Sequence, residues 1–237
     1  MTEVKLADYP RRSFVHGKLE AAGASFVALG DAAIAADFGD PAAEAAMASQ
    51  LGLADLSVVA RCGFKGAGAA DWLARQGRRL PEESNRALRQ EDASLVVRLS
   101  PGEALILAPL ERGEAGLAAL DEAWLAGREA GQGAQGYPLP RRDSHAWFRL
   151  TGEKWPGTLA KLCAVDLRPA KFPDGAVAQT VAARVGVVLV RDDIGDLLAF
   201  HLLVDSASAA YLWDCLLDAM AEFGGRPVGL SALKSLA

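Results

Sequence analysis

The chain has 237 residues, 51% of them hydrophobic, and carries 25 Lys and Arg against 30 Asp and Glu for a net charge of −5. That balance argues against nucleic acid as a main partner, and the hydrophobic share suffices for a core of one large or two small domains. No apolar run approaches the roughly 18–20 residues of a membrane-spanning helix, and Met1–Lys5 lacks a charged-then-apolar leader pattern, so a cytoplasmic protein is expected. Cys62, Cys163 and Cys215 are widely separated and form no CxxC or Cys/His spacing, so they read as buried free thiols and no metal site is expected.

In chain order, Ala24–Leu29 and Ala32–Phe38 read as two strands joined at Gly30-Asp31. Asp40 can cap a helix that Pro41 opens and that runs to Leu51, with Gly52 as its stop. Leu56–Phe64 reads as a strand and Ala67–Gln76 as a helix closed by Gly77. Leu95–Leu99 and Ala104–Ala108 form a second hairpin across Ser100-Pro101-Gly102-Glu103. A helix follows from about Glu114 to Arg128.

The polar, glycine-rich run Gly131–Gly136 reads as a mobile linker. Beyond it come a strand at His145–Leu150, a helix at Lys154–Cys163, and strands near Val177–Ala183, Val187–Val190 and Leu198–Val204. The closing helix, Ser206–Phe223, puts Leu212, Leu216, Met220 and Phe223 on one face and Asp214, Asp218 and Glu222 on another, and Gly224-Gly225 ends it.

The middle of the chain recurs in its second half. Gly66, Leu73 and Ala74 reappear 86 positions later as Gly152, Leu159 and Ala160, each time with an apolar strand ending at the glycine and a short helix following. A long period with two copies implies two pseudo-repeated lobes. The expectation is an α+β fold of antiparallel sheets with helices: a first lobe at about 1–130, a linker at about 131–142 and a second lobe at about 143–237.

Neither copy presents a convincing catalytic group. His201 sits in an alternating strand and reads as a hydrogen-bonded structural histidine. His145 lies beside Asp143 and Ser144, but sequence adjacency does not make a triad. Asp192-Asp193 with Gly195 reads as a water-exposed hairpin tip. Gly63-x-x-Gly66-x-Gly68 lacks the spacing and the acidic residue of a dinucleotide fingerprint. The best polar constellation is Lys161, Asp166, Arg168, Gln179, Thr180 and Arg184. Either Asp166 ties its loop to nearby backbone N–H groups, or Asp166, Gln179, Thr180 and Arg184 line a site for a pteridine or carboxylate ligand.

Several of these segments resemble a known superfamily. Leu51-Gly52-Leu53-Ala54-Asp55-Leu56-Ser57 and Phe64-Lys65-Gly66-Ala67-Gly68-Ala69-Ala70-Asp71-Trp72-Leu73 resemble the opening repeat of the T-protein and sarcosine oxidase folate-binding domains. His16, Gly23-Ala24 and Asp37-Phe38-Gly39-Asp40 fit the same entry segment. Leu159–Leu167, Phe172-Pro173, Ala178-Gln179-Thr180 and Tyr211-Leu212-Trp213 are similar to the second half of the gamma subunit of heterotetrameric sarcosine oxidase.

The resemblance implies a fold like the aminomethyltransferase folate-binding domain without its C-terminal barrel. It also implies a non-catalytic subunit of a complex that oxidises sarcosine or a related N-methyl amino acid, with alpha, beta and delta subunits as partners. FAD, FMN and NAD are expected on those partners, and tetrahydrofolate is the candidate ligand of this chain. The T-protein acid near the reactive folate nitrogen has no counterpart in Gly186-Val187-Val188-Leu189-Val190. A folate-dependent one-carbon enzyme is the alternative. An iron–sulfur-maintenance relative ranks below it, because Lys161-Leu162-Cys163-Ala164-Val165-Asp166 lacks both glycines of that motif.

Overall fold

Local side-chain chemistry sets where the elements begin and end. Asp40 Oδ1 accepts from Ala43 N–H at 3.0 Å and Pro41 fills the first helical position, so α2 (Pro41–Leu51) starts there. Gly52 does not stop it in a left-handed cap. Its backbone is extended and opens β3 (Gly52–Asp55) directly. The strand expected at Leu56–Phe64 begins only at Arg61, as β4 (Arg61–Lys65), while β3 has already ended at Asp55. The break follows from Asp55, whose Oδ1 accepts from Ser57 N–H at 3.1 Å and Ser57 Oγ at 2.5 Å, turning the chain out of the sheet.

The computed structural model describes residues 2–110, 115–131 and 133–236. Before α2 come α1 (His16–Ala21) and the hairpin β1 (Ser25–Leu29) and β2 (Ala32–Asp37). After β4 come α3 (Ala69–Arg75), β5 (Arg86–Arg89), β6 (Leu95–Ser100), β7 (Glu103–Leu107), α4 (Ala115–Glu129), β8 (Tyr137–Leu139) and α5 (Arg141–Ser144). The chain continues through β9 (His145–Thr151), α6 (Trp155–Leu159), β10 (Val177–Ala182), β11 (Val185–Arg191), β12 (Ala199–Asp205), α7 (Ala209–Ala221), β13 (Arg226–Pro227) and α8 (Leu230–Lys234). Among the described residues no helix is long and apolar enough to cross a membrane.

The chain forms two compact units, and they are not two consecutive lobes. One comprises Met1–Val58, His145–Asp174 and Ala178–Ala237, the other Val59–Ser144 and Gly175–Val177. The sheets explain the interleaving. The first unit holds the order β10-β11-β12-β9-β3-β13, the second β5-β6-β7-β4-β8. Strand for strand, β5-β6-β7-β4 matches β10-β11-β12-β9. The fifth strand is exchanged: β3 precedes β4 in the chain but pairs with β9, whereas β8 precedes β9 but pairs with β4. The glycine-rich run is accordingly no simple tether. Gln135 O accepts from Gly68 N–H at 2.8 Å, and β8 follows at once.

The repeated turn is real at backbone level. Gly66 has φ +138° and Gly152 φ +113°, a region L side chains rarely adopt. Gly66 N–H donates to Gly102 O at 2.9 Å, and Gly152 N–H donates to Leu198 O at 2.8 Å. A Cβ would overlap Gly136 at the first turn and the Gln50 carbonyl at the second.

Each sheet buries its own aromatic cluster. Phe64, Trp72 and Trp124 meet at centroid distances of 4.7–5.2 Å in the second unit. In the first, Phe148 meets Trp213 at 5.2 Å, over the buried Leu212, Leu216 and Met220 of α7.

Candidate functional site

The strongest polar feature is a buried chain of four side chains in the first unit. Side chains alternate along a strand, so β9 turns Trp147 and Arg149 to one face, and β12 sets His201 directly opposite Arg149. Asp192 closes the group from the end of β11. Trp147 Nε1–H donates to His201 Nδ1 at 2.9 Å, and His201 Nε2 meets Asp192 Oδ2 at 2.9 Å. Arg149 Nη2 donates to Asp192 O at 2.7 Å and lies 3.5 Å from Asp192 Oδ2. Arg149 is 4% exposed and Asp192 and His201 7% each, so every charge here needs its partner.

The donors fix the protonation pattern. An indole N–H can only donate, so His201 Nδ1 must accept and its Nε2 carries the proton given to Asp192. His201 is thereby neutral, and it is the hydrogen-bonded, structural histidine expected from its strand. The Asp192 carboxylate is balanced by Arg149. Nearby, Ser57 Oγ donates to Asp55 and accepts from Trp147 N–H at 3.1 Å, tying β9 to the turn after β3. This arrangement locks strands and orients an indole. A general base at His201 would first have to give up its bond to Trp147.

The expectation for Asp192 and Asp193 is corrected. Neither is at an exposed hairpin tip: the tip is Ile194–Leu197, with Gly195 at φ +58°. Asp193 is held by Arg191 at 2.6 and 3.0 Å and accepts from Ala199 N–H at 3.1 Å. Arg191 also donates to Phe172 O at 2.7 Å, anchoring the loop before β10. The sequence signal was Arg149 and Arg191 at inward-facing positions of apolar strands, where a buried acid must answer them.

The expected ligand residues lie after α6, on β10 and in the turn that follows β10. Asp166 is exposed after α6 and paired with Arg168 at 2.5 and 2.8 Å; those bonds hold its carboxyl down at about 2. Gln179 is exposed and Thr180 half-buried on β10, the edge strand of its sheet. Arg184 is exposed in a tight turn where Ala183 and Arg184 both have positive φ. Lys161 donates to Ala219 O at 2.5 Å and Glu222 at 2.7 Å and caps the Phe223 ring at 4.8 Å.

A cavity of about 530 Å³ lies within the second unit, between the start of β4, α4, β8 and α5. Arg61, buried beside it, donates to the carbonyls of Val59, Arg141 and Arg142 at 2.8, 3.1 and 2.8 Å. Burial pushes the Cys62 thiol far above its usual range; Asp121 adds to this and Arg78 opposes it, so the thiol stays protonated. Among the described residues no group of three or more His, Cys, Asp or Glu could hold a metal ion.

No protein-family model matches the sequence. The fold is that of a glycine-cleavage aminomethyltransferase T-protein. The Bartonella henselae structure matches with a TM-score of 0.71 at 19% identity, over 95% of this chain and 61% of that one. A chain of the heterotetrameric sarcosine oxidase of Corynebacterium sp. U-96, solved with pyrrole 2-carboxylate, matches with a TM-score of 0.61 at 26% identity. It covers 79% of this chain and 97% of that one. Aminomethyltransferases of Saccharopolyspora erythraea and Streptomyces avermitilis are 34% and 36% identical over 94 and 95 residues, and the match spans only 25% of their length. The chain resembles a sarcosine oxidase subunit within the T-protein-like folate-binding superfamily.

Proposed function

We propose that this chain is a non-catalytic, gamma-type subunit of a sarcosine-oxidase-like complex that oxidises sarcosine or a related N-methyl amino acid in the cytoplasm. The observation that carries the reading is one of extent. The match runs through 97% of a chain taken from a four-subunit oxidase, at 26% identity. The interior supports it: Trp147, Arg149, Asp192 and His201 are spent on one another, and the Cys62 thiol is held protonated. FAD, FMN and NAD would sit on the alpha, beta and delta partners. The test is co-expression with those three subunits from the same genome. Co-purification in constant ratio through gel filtration is expected, and a chain that elutes free of them refutes the reading.

A folate-binding one-carbon transferase is the second reading, favoured by 34% identity to an aminomethyltransferase over 94 residues. Calorimetry with tetrahydrofolate separates the two. Tight binding with methylene-tetrahydrofolate formation by the isolated chain would favour the transferase.

A further inference from the structure

The two sheets match strand for strand except at one edge. In the first unit the chain turns at Gly224 and lays β13 parallel to β3, where Val228 N–H donates to Leu53 O at 2.9 Å. Val228, Leu230 and Leu233 are buried as that segment passes into α8. β8 is the corresponding strand of the second unit. Leu53 pairs with Leu150 and Pro138 with Phe64, and Leu150 and Phe64 stand at equivalent positions of the repeat. That sheet ends at β8, and α4 leads into β8 itself, so among the described residues no sixth strand follows it.

The residues of the edge define what it can take. Pro138 and Pro140 have no N–H, so these positions offer no donors, and the Pro140 carbonyl already accepts from Ser144 Oγ at 3.1 Å, which leaves the carbonyl of Pro138 as the acceptor. A long ladder is barred there, while a short contact made by a single donor, like that of Val228, is not. Beside the edge lies the 530 Å³ cavity, lined by Cys62, Leu117, Leu125 and Leu139. Leu125 is 54% exposed and Tyr137, on β8, 50% exposed. Lining charges balance, Arg61 and Arg142 against Asp121 and Asp143, so the cleft has no net charge with which to select a charged ligand. Its apolar walls suit a bulky apolar side chain carried on a peptide.

We propose that the β8 edge and this cavity dock a partner subunit, through a short extended segment that donates one backbone N–H to Pro138 O and inserts an apolar side chain. The proposal rests on the subunit reading above. Within this chain, Gly225–Leu233 already makes the equivalent contact on β3.

The experiment compares co-purification of the full chain, co-expressed with alpha, beta and delta subunits, for four versions: unaltered, Leu125→Arg, Ala118→Trp and, as a control on the β10 edge, Val181→Arg. Thermal melts of each isolated version verify folding. Recovery of partners should fall by about tenfold or more for Leu125→Arg and Ala118→Trp, as for loss of a central interface contact, and hold for Val181→Arg. Folded cleft variants that assemble like the unaltered chain overturn the docking site and leave the subunit reading intact. If only Val181→Arg fails, the interface is at β10, which also overturns it. An unaltered chain that recovers no partner overturns both the subunit reading and the docking site.

Discussion

The two sheets share a strand order and a glycine turn but not an interior. Around β9, Trp147, Arg149, His201 and Asp192 form a hydrogen-bonded chain. Around β4, the place of Trp147 is taken by Arg61, which spends itself on backbone carbonyls, and the place of Arg149 by Gly63. The second unit instead concentrates its aromatics, Phe64, Trp72 and Trp124, under its helices. The repeat therefore preserves backbone geometry and lets side chains diverge. Duplicated architecture here does not mean a duplicated site.

The largest effects should follow from breaking what the units share. Gly152→Val adds a side chain against the Gln50 carbonyl at φ +113°, and Gly66→Val does the same against Gly136 at φ +138°. Each should cost roughly 3 kcal/mol or more through strain and overpacking. That corresponds to a fall of about 6–12 °C in Tm for a chain of this size. Gly186→Ala, with open space around its Cβ and no positive φ, should change Tm by no more than a degree or two. Differential scanning calorimetry checks all three.

The next effect separates the interiors. Trp147→Phe removes the indole N–H that donates to His201 Nδ1, and should cost about 1–3 kcal/mol beyond lost packing. Trp124→Phe should cost less, because Trp124 Nε1 is buried with no hydrogen-bond partner among the described residues. Urea melts of both variants test the contrast, and equal losses would mean that the buried chain contributes no specific stability. A double cycle of Trp147→Phe with His201→Phe should show coupling above about 0.5 kcal/mol.

Sequence reasoning reached the repeat, both turn glycines, the hairpins and the closing helix, because each rests on local periodicity or a residue with one conformational role. It missed the exchange of β3 and β8, since pairing partners far apart in the chain leave no local pattern. Treating 131–136 as a free tether hid β8 behind it. In the sequence Asp192 resembles an exposed turn acid because the neighbouring Gly195 marks a tip, but the tip begins two residues later. Arg149 and Arg191, charged residues facing inward on apolar strands, were the available signal that acids lay buried beside them.

A smaller effect concerns the surface of the second unit. Burial tends to raise the Asp92 carboxyl, but hydrogen bonds from Ser94 and Arg78 outweigh it and bring it to about 2. A carboxyl lowered in the folded state stabilises above the unfolded value near 3.9 and loses that contribution as pH falls toward 2. Because the Asp92 side chain is 41% exposed, solvent screening limits the gain to about 0.5–1 kcal/mol. Asp92→Asn should lower stability by that amount at pH 7 and flatten the fall in Tm between pH 4 and pH 2, measured by thermal melts across that range.

The central proposal is that this chain contributes fold and surface, not chemistry. Its most direct test is an assay of the purified chain alone for sarcosine oxidation and for methylene-tetrahydrofolate formation, with Asp192→Asn alongside. The account predicts no turnover in either assay, and lower thermal stability for Asp192→Asn because Arg149 and His201 lose their acid. Turnover by the unaltered chain that disappears in a folded Asp192→Asn variant would contradict it and make the buried Asp192 a working group.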